Sequence, residues 1–337
     1  MGATPERLAQ QQLSGEAMRQ AMERIMTGAM PAEEVRTFLE TLAKRGETAE
    51  ELAAAVTVLH RHATPLLVSP ALELCDTCGT GGDQQGTFNI STLAALVAAA
   101  CGVRVAKHGN RAASSRCGSA DLLEALGFNL EAAPERVAKS IEELGFGFCF
   151  APLFHPAMKA VASIRRELGI RTIFNLIGPL ANPAPLTFQL IGLADARFLM
   201  PVAQVLKTMG IRHGMVVHGL DGLDEVSTTK ETAILEVRHG VIESYRVRPE
   251  DFGLSRATLD EVRGGDPQEN AALAREILSG KLSRKRDLVA VNAGCAIYVA
   301  DGTRSLQEGM AKAESALDSG RALTLLDRVI AFSHASS

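Results

Sequence analysis

Residues 72–102, LELCDTCGTGGDQQGTFNISTLAALVAAACG, indicate the fold class of this chain. A short apolar run ends in a glycine-rich loop, and an apolar helical pattern follows and stops at Gly102, as helices often do at glycine. Further short apolar runs alternate with helical patterns along the chain, and they read VRVAKHG, GFCFA, LTFQLIGLA and HGMVVHG. Strands that alternate with helices predict an α/β fold with a mostly parallel central sheet flanked by helices.

Residues 1–72 show only helical periodicity, with helix starts near Pro31 and at the Thr48 cap, and they predict a small all-helical domain. The proline-rich segment IRTIFNLIGPLANPAPL, 170–186, breaks the alternation and is expected to cross back to that domain. We therefore predict a helical domain of 1–72 with a crossover near 170–190, and an α/β domain of 73–169 and 191–337. Within the latter, AILEVRHGVIESYRV predicts a hairpin that turns at His239 and Gly240.

Composition excludes several classes of protein. The chain has 337 residues, 46% of them apolar, and a net charge of −4 that offers no basic surface for nucleic acid. The longest apolar run, 93–103, is too short to span a bilayer, and the polar N-terminus lacks the apolar core of a signal peptide. Six cysteines in a chain of this length do not form a disulfide framework. We expect a cytoplasmic protein with free thiols that binds neither nucleic acid nor a membrane.

The first candidate site is the loop that follows the first strand. Its Cys-x-x-Cys, Cys75 and Cys78, suggests a metal or a redox disulfide, but no second pair completes a zinc site, and a redox pair would normally open a helix. Packing is the favoured interpretation of both cysteines. The glycines that follow fit neither a dinucleotide fingerprint nor a Walker A loop, because Gln84 replaces the third glycine and no lysine follows Gly86.

What remains is a glycine cluster and a polar helix start. Backbone amides at Gly79, Gly81 and Gly82 can converge on an anion, and the helix N-terminus adds about half a positive charge. The alternative is a tight turn with an ordinary Ser/Thr cap. The segment KHGNRAASSRCGSADLLEALG, 107–127, has the same build, with polar residues at Lys107, His108, Asn110, Arg111, Ser114, Ser115 and Ser119.

Loops at successive strand ends should face one crevice, and cations with hydroxyls suit a phosphorylated sugar with several phosphates. A solvated surface charge is the alternative for Lys107.

The third candidate segment is HPAMKAVASIRRELG, 155–169. Read as a helix, it places His155, Lys159, Ser163 and Arg166 on one face. Arg165 projects about 100° away. A solvated helix face explains most of these charges, and only one of the two arginines is expected to bind a ligand, as a fork for a carboxylate.

The fourth segment, VVHGLDGLDEVS, 216–227, ends a strand and presents Asp221, Asp224 and Glu225. Acidic turns are usually structural. Adjacent carboxylates that face a pocket rich in donors can instead hold Mg²⁺ together with substrate phosphates and water. The two anion-binding loops favour this metal site.

In this order the segments closely resemble the anthranilate phosphoribosyltransferase family of tryptophan biosynthesis. The resemblance covers nearly the whole chain and rests on GTGGD (79–83), TFNIST (87–92), KHGNRAASS (107–115), GSADLLEALG (118–127), FAPLFHPAMKAVASIRRELGIRTIFNLIGPLANP (150–183), HGLDGLDEVS (218–227) and GGDPQENA (264–271). Pyrimidine nucleoside phosphorylases share the implied fold but differ in the lysine loop. DNA-binding paralogues, for which a basic stripe and a weakened acidic loop are expected, remain a third possibility.

The resemblance implies a dimer-forming helical domain beside an α/β domain, with the active site in the cleft between them. It implies transfer of the phosphoribosyl group of phosphoribosyl pyrophosphate (PRPP) to the amine of anthranilate, with no side chain acting as acid or base. The implied PRPP-binding residues are Gly79, Gly82, Asp83, Thr87, Asn89, Ile90, Ser91, Thr92, Lys107, Ser115 and Ser119. The implied anthranilate-binding residues are Gly79, His108, Asn110 and Arg165.

Magnesium is the implied cofactor, with two ions per active site held by Ser91, Asp224 and Glu225. Two positions depart from the family pattern. Cys78 stands where an aliphatic residue or proline is common, and Cys117 stands where a small hydroxyl is common. Both changes are conservative in size, so they bear on thiol sensitivity more than on activity.

Overall fold

The computed structural model describes residues 11–112 and 115–335. Its N-terminal part is a small helical module with three described helices, α1 (Gly15–Met26), α2 (Ala32–Arg45) and α3 (Ala49–His62). Local sequence determines where these helices begin. The Ser14 side chain caps α1, and Thr48 forms a reciprocal capping box with Glu51 at the start of α3.

A seven-stranded sheet lies at the centre of the rest of the chain. Its strands are β1 (Leu74–Gly79), β2 (Arg104–Gly109), β3 (Phe146–Phe150), β4 (Leu186–Gly192), β5 (His213–Gly219), β6 (Thr232–Arg238) and β7 (Val241–Val247). They lie in the order β3-β2-β1-β4-β5-β6-β7, and the first five of these are parallel. The predicted mostly parallel sheet is thus confirmed, with an antiparallel hairpin at one edge.

The hairpin turns where the sequence predicts. His239 and Gly240 both have positive φ, 47° and 77°, as a two-residue turn between twisted strands requires. Helices cover both faces of the sheet. The remaining described α-helices are α4 (Ile90–Ala100), α5 (Ser119–Ala125), α6 (Pro134–Leu144), α7 (Ala151–Phe154), α8 (Lys159–Leu168), α9 (Ile173–Ile177), α10 (Leu199–Thr208), α11 (Pro267–Leu278), α12 (Arg284–Val299), α13 (Leu306–Asp318) and α14 (Arg321–His334).

Alternation along the strands divides the core between the two faces. Cys75 and Val105 point into a cluster that α4, α12 and α14 share, whereas Ile191 and Val216 point into a cluster that includes the helical module and α10. The helices α4 and α12 are buried on nearly all sides. Their small apolar side chains let them pack closely against each other and the sheet. Within the described ranges, no helix combines the length and the apolar character needed to cross a membrane.

The crossover segment packs on the helical module. Helix α9 and the turn at Pro179–Ala181 contact α3, and the His60 ring lies 3.1 Å from the Leu180 carbonyl oxygen. The continuous helix expected from His155 is wrong, because α8 begins only at Lys159 after a 3₁₀ turn. Pro156 explains the break, since a residue before proline is disfavoured in helical backbone and His155 has φ −125° and ψ 65°.

Candidate active site

The first and fourth candidate segments meet at the carboxyl edge of the parallel strands. The Gly81 amide donates to Asp224 Oδ2 at 2.7 Å, and the Ser91 amide donates to Glu225 Oε1 at 3.1 Å. The Gln85 side chain donates to the Asp221 carbonyl oxygen at 3.0 Å. The glycine loop and the acidic loop therefore form one site, although more than 130 residues separate them.

Backbone conformation explains the glycines of the loop. Gly81, Gly82 and Gly86 have φ between 64° and 72°, a left-handed region that side-chain-bearing residues rarely adopt. The loop leads to α4, whose N-cap residue Asn89 makes no side-chain capping bond. One amide of the glycine loop and one of the first helical turn donate to the carboxyl groups of Asp224 and Glu225, so this loop and helix start can present N–H groups to acidic partners.

Gly79 and Gly192 make room for the acidic loop, a role that the sequence alone does not indicate. They are register partners at the ends of the adjacent strands β1 and β4, directly beneath the acidic loop. A Cβ at Gly79 would lie 2.2 Å from Asp224 Oδ2, and one at Gly192 would lie 1.5 Å from the Asp224 carbonyl oxygen. The two missing side chains leave the space that Asp224 occupies.

Three carboxyl groups of the site repel one another. Burial is the largest cause that raises the pKa of Asp83, Asp224 and Glu225 above their ordinary values, and neighbouring carboxylates raise it further. A bound cation would relieve this repulsion. Among the described residues, no three His, Cys, Asp or Glu side chains are arranged as a ready-made metal site. Magnesium does not need one, because it commonly takes one or two carboxylates and completes its shell with phosphates and water.

Lys107 lies beneath the glycine loop and not on the surface. It is 2% exposed, so the surface alternative is wrong. Its ammonium donates to the Thr77 carbonyl oxygen at 2.5 Å and to Ser91 Oγ at 3.5 Å. The positive charge of β2 is therefore held beside the start of α4.

The second loop is shaped by one carboxylate. Asp121 Oδ2 accepts the amides of Ala112 and Gly118, each at 2.9 Å, and Arg111 pairs with Glu124 and Asp121. Two further hydrogen bonds keep the loop compact. Ser119 Oγ donates to the Asn110 carbonyl oxygen at 3.3 Å, and Ser115 Oγ donates to the Cys117 carbonyl oxygen at 3.4 Å. Ser114, another polar candidate, lies outside the described residues. Arg111 is thus engaged by acidic side chains of α5, the helix that follows its loop.

Two histidines and one arginine are further candidate residues, and one of the histidines follows Lys107 in β2. His108 and His155 are buried with ring centroids 5.1 Å apart, and burial lowers their pKa to about 3 and about 4. Both imidazoles are therefore neutral at physiological pH. The Arg165 guanidinium lies half-buried over the Phe174 ring, 5.2 Å from its centroid, whereas Arg166 is exposed. Asn110, the remaining anthranilate candidate, lies exposed at the end of β2.

The sequence did not single out two buried polar residues, one in β1 and one in the crossover. Asp76 accepts the His108 amide at 3.3 Å, and Asn182 of the crossover donates to the Ala106 carbonyl oxygen at 2.7 Å. Polar residues that interrupt an apolar strand were the available signal. Cys75 and Cys78 lie within β1 as free, buried thiols, and burial raises the pKa of both.

Two family models match the chain. The helical bundle domain of the glycosyl transferase family matches residues 6–63, and its a/b domain matches residues 72–323. Anthranilate phosphoribosyltransferase of Symbiobacterium thermophilum is 48% identical, over 93% of this chain and 92% of that protein. The protein of the same name from Alkaliphilus metalliredigens is 46% identical, over 97% and 96%. The chain belongs to the anthranilate phosphoribosyltransferase family.

Solved structures of this family agree in fold. The anthranilate phosphoribosyltransferase of Thermus thermophilus superposes with a TM-score of 0.93 at 48% identity, covering 99% of this chain and 100% of that one. The Saccharomyces cerevisiae enzyme in complex with PRPP and Mg has a TM-score of 0.87 at 30% identity, covering 95% and 93%. Its complex with 4-fluoroanthranilate has a TM-score of 0.85 with the same coverage. These matches favour the anthranilate phosphoribosyltransferase family over the phosphorylase and DNA-binding alternatives.

Proposed function

We propose that this protein transfers the phosphoribosyl group of PRPP to the amine of anthranilate, giving N-(5-phosphoribosyl)anthranilate and pyrophosphate. This reaction is the second step of tryptophan biosynthesis from chorismate. One observation carries the proposal for a chain of this family, namely the direct contact of the glycine loop with the acidic loop beside the buried Lys107.

The glycine loop, the start of α4 and the second loop are the proposed PRPP site. Backbone amides at the loop and helix start supply donors without charge, and Lys107 supplies a fixed positive charge. The residues proposed to bind PRPP are Gly79, Gly82, Asp83, Thr87, Asn89, Ile90, Ser91, Thr92, Lys107, Ser115 and Ser119. Positive φ at Gly82 and the position of the Lys107 ammonium, 3.5 Å from Ser91 Oγ, support this assignment.

Ser91, Asp224 and Glu225 are the proposed magnesium-binding residues, with two ions per active site. The buried, mutually repelling carboxyl groups fit a divalent cation, which would share its shell with the pyrophosphate of the substrate. Bound Mg²⁺ supplies charge neutralisation of the departing pyrophosphate. Equilibrium dialysis with PRPP present tests the number of ions, since one ion per chain would contradict the proposal.

The chain itself contributes positioning and electrostatics. Breaking the C1′–pyrophosphate bond builds positive charge on the ribose and negative charge on the leaving group, and the Lys107 ammonium and the loop amides stabilise the latter. The aromatic amine of anthranilate is already neutral, so no strong base is needed. The low pKa values of His108 and His155, about 3 and about 4, agree with this, because they make both imidazoles weak bases.

Anthranilate is proposed to bind through its carboxylate. The Arg165 guanidinium lies half-buried over Phe174, and burial lowers its pKa; a guanidinium nevertheless keeps its charge in proteins. We propose that the Arg165 guanidinium binds the carboxylate with two parallel hydrogen bonds. Gly79, His108 and Asn110 complete the proposed pocket. Holding the amine near C1′ then supplies a large part of the rate acceleration.

The test is the loss of anthranilate fluorescence on mixing the purified protein with PRPP and Mg²⁺. Turnover should require PRPP, stop with EDTA, and be absent in Asp224→Ala/Glu225→Ala. The matched control is Glu142→Ala/Glu143→Ala, which removes two adjacent exposed carboxylates of α6 and should leave turnover intact. A flat trace from folded wild-type protein would refute the proposed reaction.

We also propose, from the family resemblance, a homodimer formed through the helical module. Light scattering coupled to gel filtration should give the mass of two chains. A mass of one chain at micromolar concentration would contradict it.

A further inference from the structure

Asn270 is buried, although it lies in the first turn of a helix far along the chain from the glycine loop. It belongs to α11 and is 3% exposed. The residues just before α11 pack on the glycine loop, since the Gly264 amide donates to the Gly86 carbonyl oxygen at 2.9 Å and Arg263 forms a β-bridge with Thr87. The start of α11 is therefore part of the wall behind the loop.

A directed chain of hydrogen bonds runs from this wall into the site. The Gly265 amide donates to Asn270 Oδ1 at 2.7 Å. Asn270 Nδ2 donates to Asn89 Oδ1 at 3.2 Å, and Asn89 Nδ2 donates to the Cys117 carbonyl oxygen at 3.0 Å. These three bonds connect α11, the N-cap of α4 and the second loop.

Backbone groups fix the direction of this chain at both ends. An amide N–H can only donate and a carbonyl oxygen can only accept, so neither asparagine can turn its amide over without losing its bonds. Asn270 and the Cys117 carbonyl together therefore set which atom of Asn89 faces which way. The Asn89 NH₂ has two hydrogens, and the bond to Cys117 uses one of them, which leaves one N–H donor for an anion.

The same bond prevents Asn89 from capping its own helix. Asparagine at an N-cap usually accepts an amide of the first helical turn with its side-chain oxygen. Asn89 makes no such bond, and its Oδ1 accepts from Asn270 instead. Without Asn270, that oxygen could turn to the helix amides and compete with a phosphate for them.

We propose that Asn270 is a positioning residue for PRPP, which holds the Asn89 side chain as a donor and keeps the Asn89 oxygen away from the amides at the start of α4. The inference rests on the proposed function, because it concerns the same phosphate site. Asn270 itself is not required to touch the substrate. Its effect should pass entirely through Asn89.

A double-mutant cycle tests this route. The binding of PRPP with Mg²⁺, without anthranilate, is measured by isothermal titration calorimetry for wild type, Asn89→Ala, Asn270→Ala and the double variant. Each single variant should raise the Kd roughly 10- to 100-fold, the range for a lost hydrogen bond to a charged group. The double variant should bind within about twofold of Asn89→Ala, because the two residues act as one unit. In turnover, the KM for PRPP should rise while the KM for anthranilate is unchanged.

A matched control separates positioning from loss of stability. Asn129 also accepts one backbone amide and donates to one carbonyl oxygen, but at the C-terminal helix, away from the cleft. Asn129→Ala should lower the melting temperature about as much as Asn270→Ala and leave PRPP binding within about twofold of wild type. If Asn270→Ala does not fold, Asn270→Ser replaces it, since a hydroxyl can accept the Gly265 amide but is too short to reach Asn89.

The outcomes are distinct. A wild-type protein that does not bind PRPP overturns the proposed function and this inference with it. Wild-type binding with an Asn270→Ala variant that binds as tightly as Asn129→Ala overturns the inference alone. Losses that multiply in the double variant also overturn it, because Asn270 would then act independently of Asn89.

Discussion

Replacing Gly192 by alanine is the sharpest test of how the acidic loop is seated. The new Cβ would lie 1.5 Å from the Asp224 carbonyl oxygen, and it would also meet the Asp224 backbone carbon at 2.4 Å. Ordinary contact between carbon and oxygen requires about 3.3 Å, so the loop and the strand must separate by roughly 1.8 Å. Backbone atoms cause the clash, and a side-chain rotation cannot relieve it.

A shift of this size displaces both carboxylates from the phosphate loop. Misplacement of about 1 Å in a site can cost about 100-fold in rate. We therefore expect kcat/KM of Gly192→Ala to fall at least about 100-fold and the Mg²⁺ concentration for half-maximal activity to rise. Overpacking should lower the free energy of unfolding by about 1–3 kcal/mol. The assay is initial-rate anthranilate fluorescence over a Mg²⁺ titration, with urea unfolding alongside.

Gly214 of the neighbouring strand β5 is the matched control. A Cβ there would meet side-chain methyl groups of Leu206 at 3.1 Å and Ile211 at 3.2 Å, and the Gln189 carbonyl oxygen at 3.3 Å. Gly214→Ala should lose stability but keep kcat/KM within about threefold, since it is remote from the loop. Equal kcat/KM and equal Mg²⁺ dependence for the two variants would refute the reasoning that Gly192 seats Asp224.

Three further outcomes are expected. Arg165→Ala should raise the KM for anthranilate roughly 10- to 100-fold with the KM for PRPP unchanged, and substitution of the exposed Arg166 by alanine should change neither KM. Initial rates, measured with each substrate varied in turn, give both KM values. Equal effects of the two variants would contradict the assignment of Arg165 to the anthranilate site. Burial by itself would raise the pKa of Glu236, but hydrogen bonds from one histidine and two tyrosines outweigh it and lower the pKa to about 2. Because this lies below the unfolded value, the stabilisation is complete above the unfolded pKa and is lost as pH falls toward 2. Urea unfolding from pH 5.5 to 3 should show that Glu236→Gln loses about 2 kcal/mol less than wild type at pH 3, and parallel curves would count against it. Finally, Cys75 and Cys78 should resist a thiol reagent in the native protein, and Cys75→Ala/Cys78→Ala should keep Mg²⁺-dependent turnover; loss of bound metal in that variant would restore the metal interpretation.

Local features of the fold were predictable because they depend on residues close together in the chain. The hairpin turn at His239 and Gly240 follows from two residues that tolerate positive φ, and the capping box at Thr48 follows from its neighbour three positions on. The one clear error was a helix expected to start at His155. Pro156 disfavours helical backbone at the residue before it, and that effect was not taken into account. The choice of the inward-facing arginine in α8 also depended on what the helix packs against.

The sequence by itself determined the alternation of strands and helices, the glycine loop with its left-handed residues, and the polar residues at the strand ends. Only the tertiary structure decided which loops meet. Strand β4 lies beside β1 in the sheet although β2 and β3 precede it in the chain, and this order brings Gly192 next to Gly79 and seats Asp224 above both. Periodicity specifies which face of a strand is buried but not its neighbour, because neighbours depend on the packing of the whole sheet. The burial of Lys107 and the hydrogen bond from Asn270 to Asn89, 181 residues apart, have the same origin.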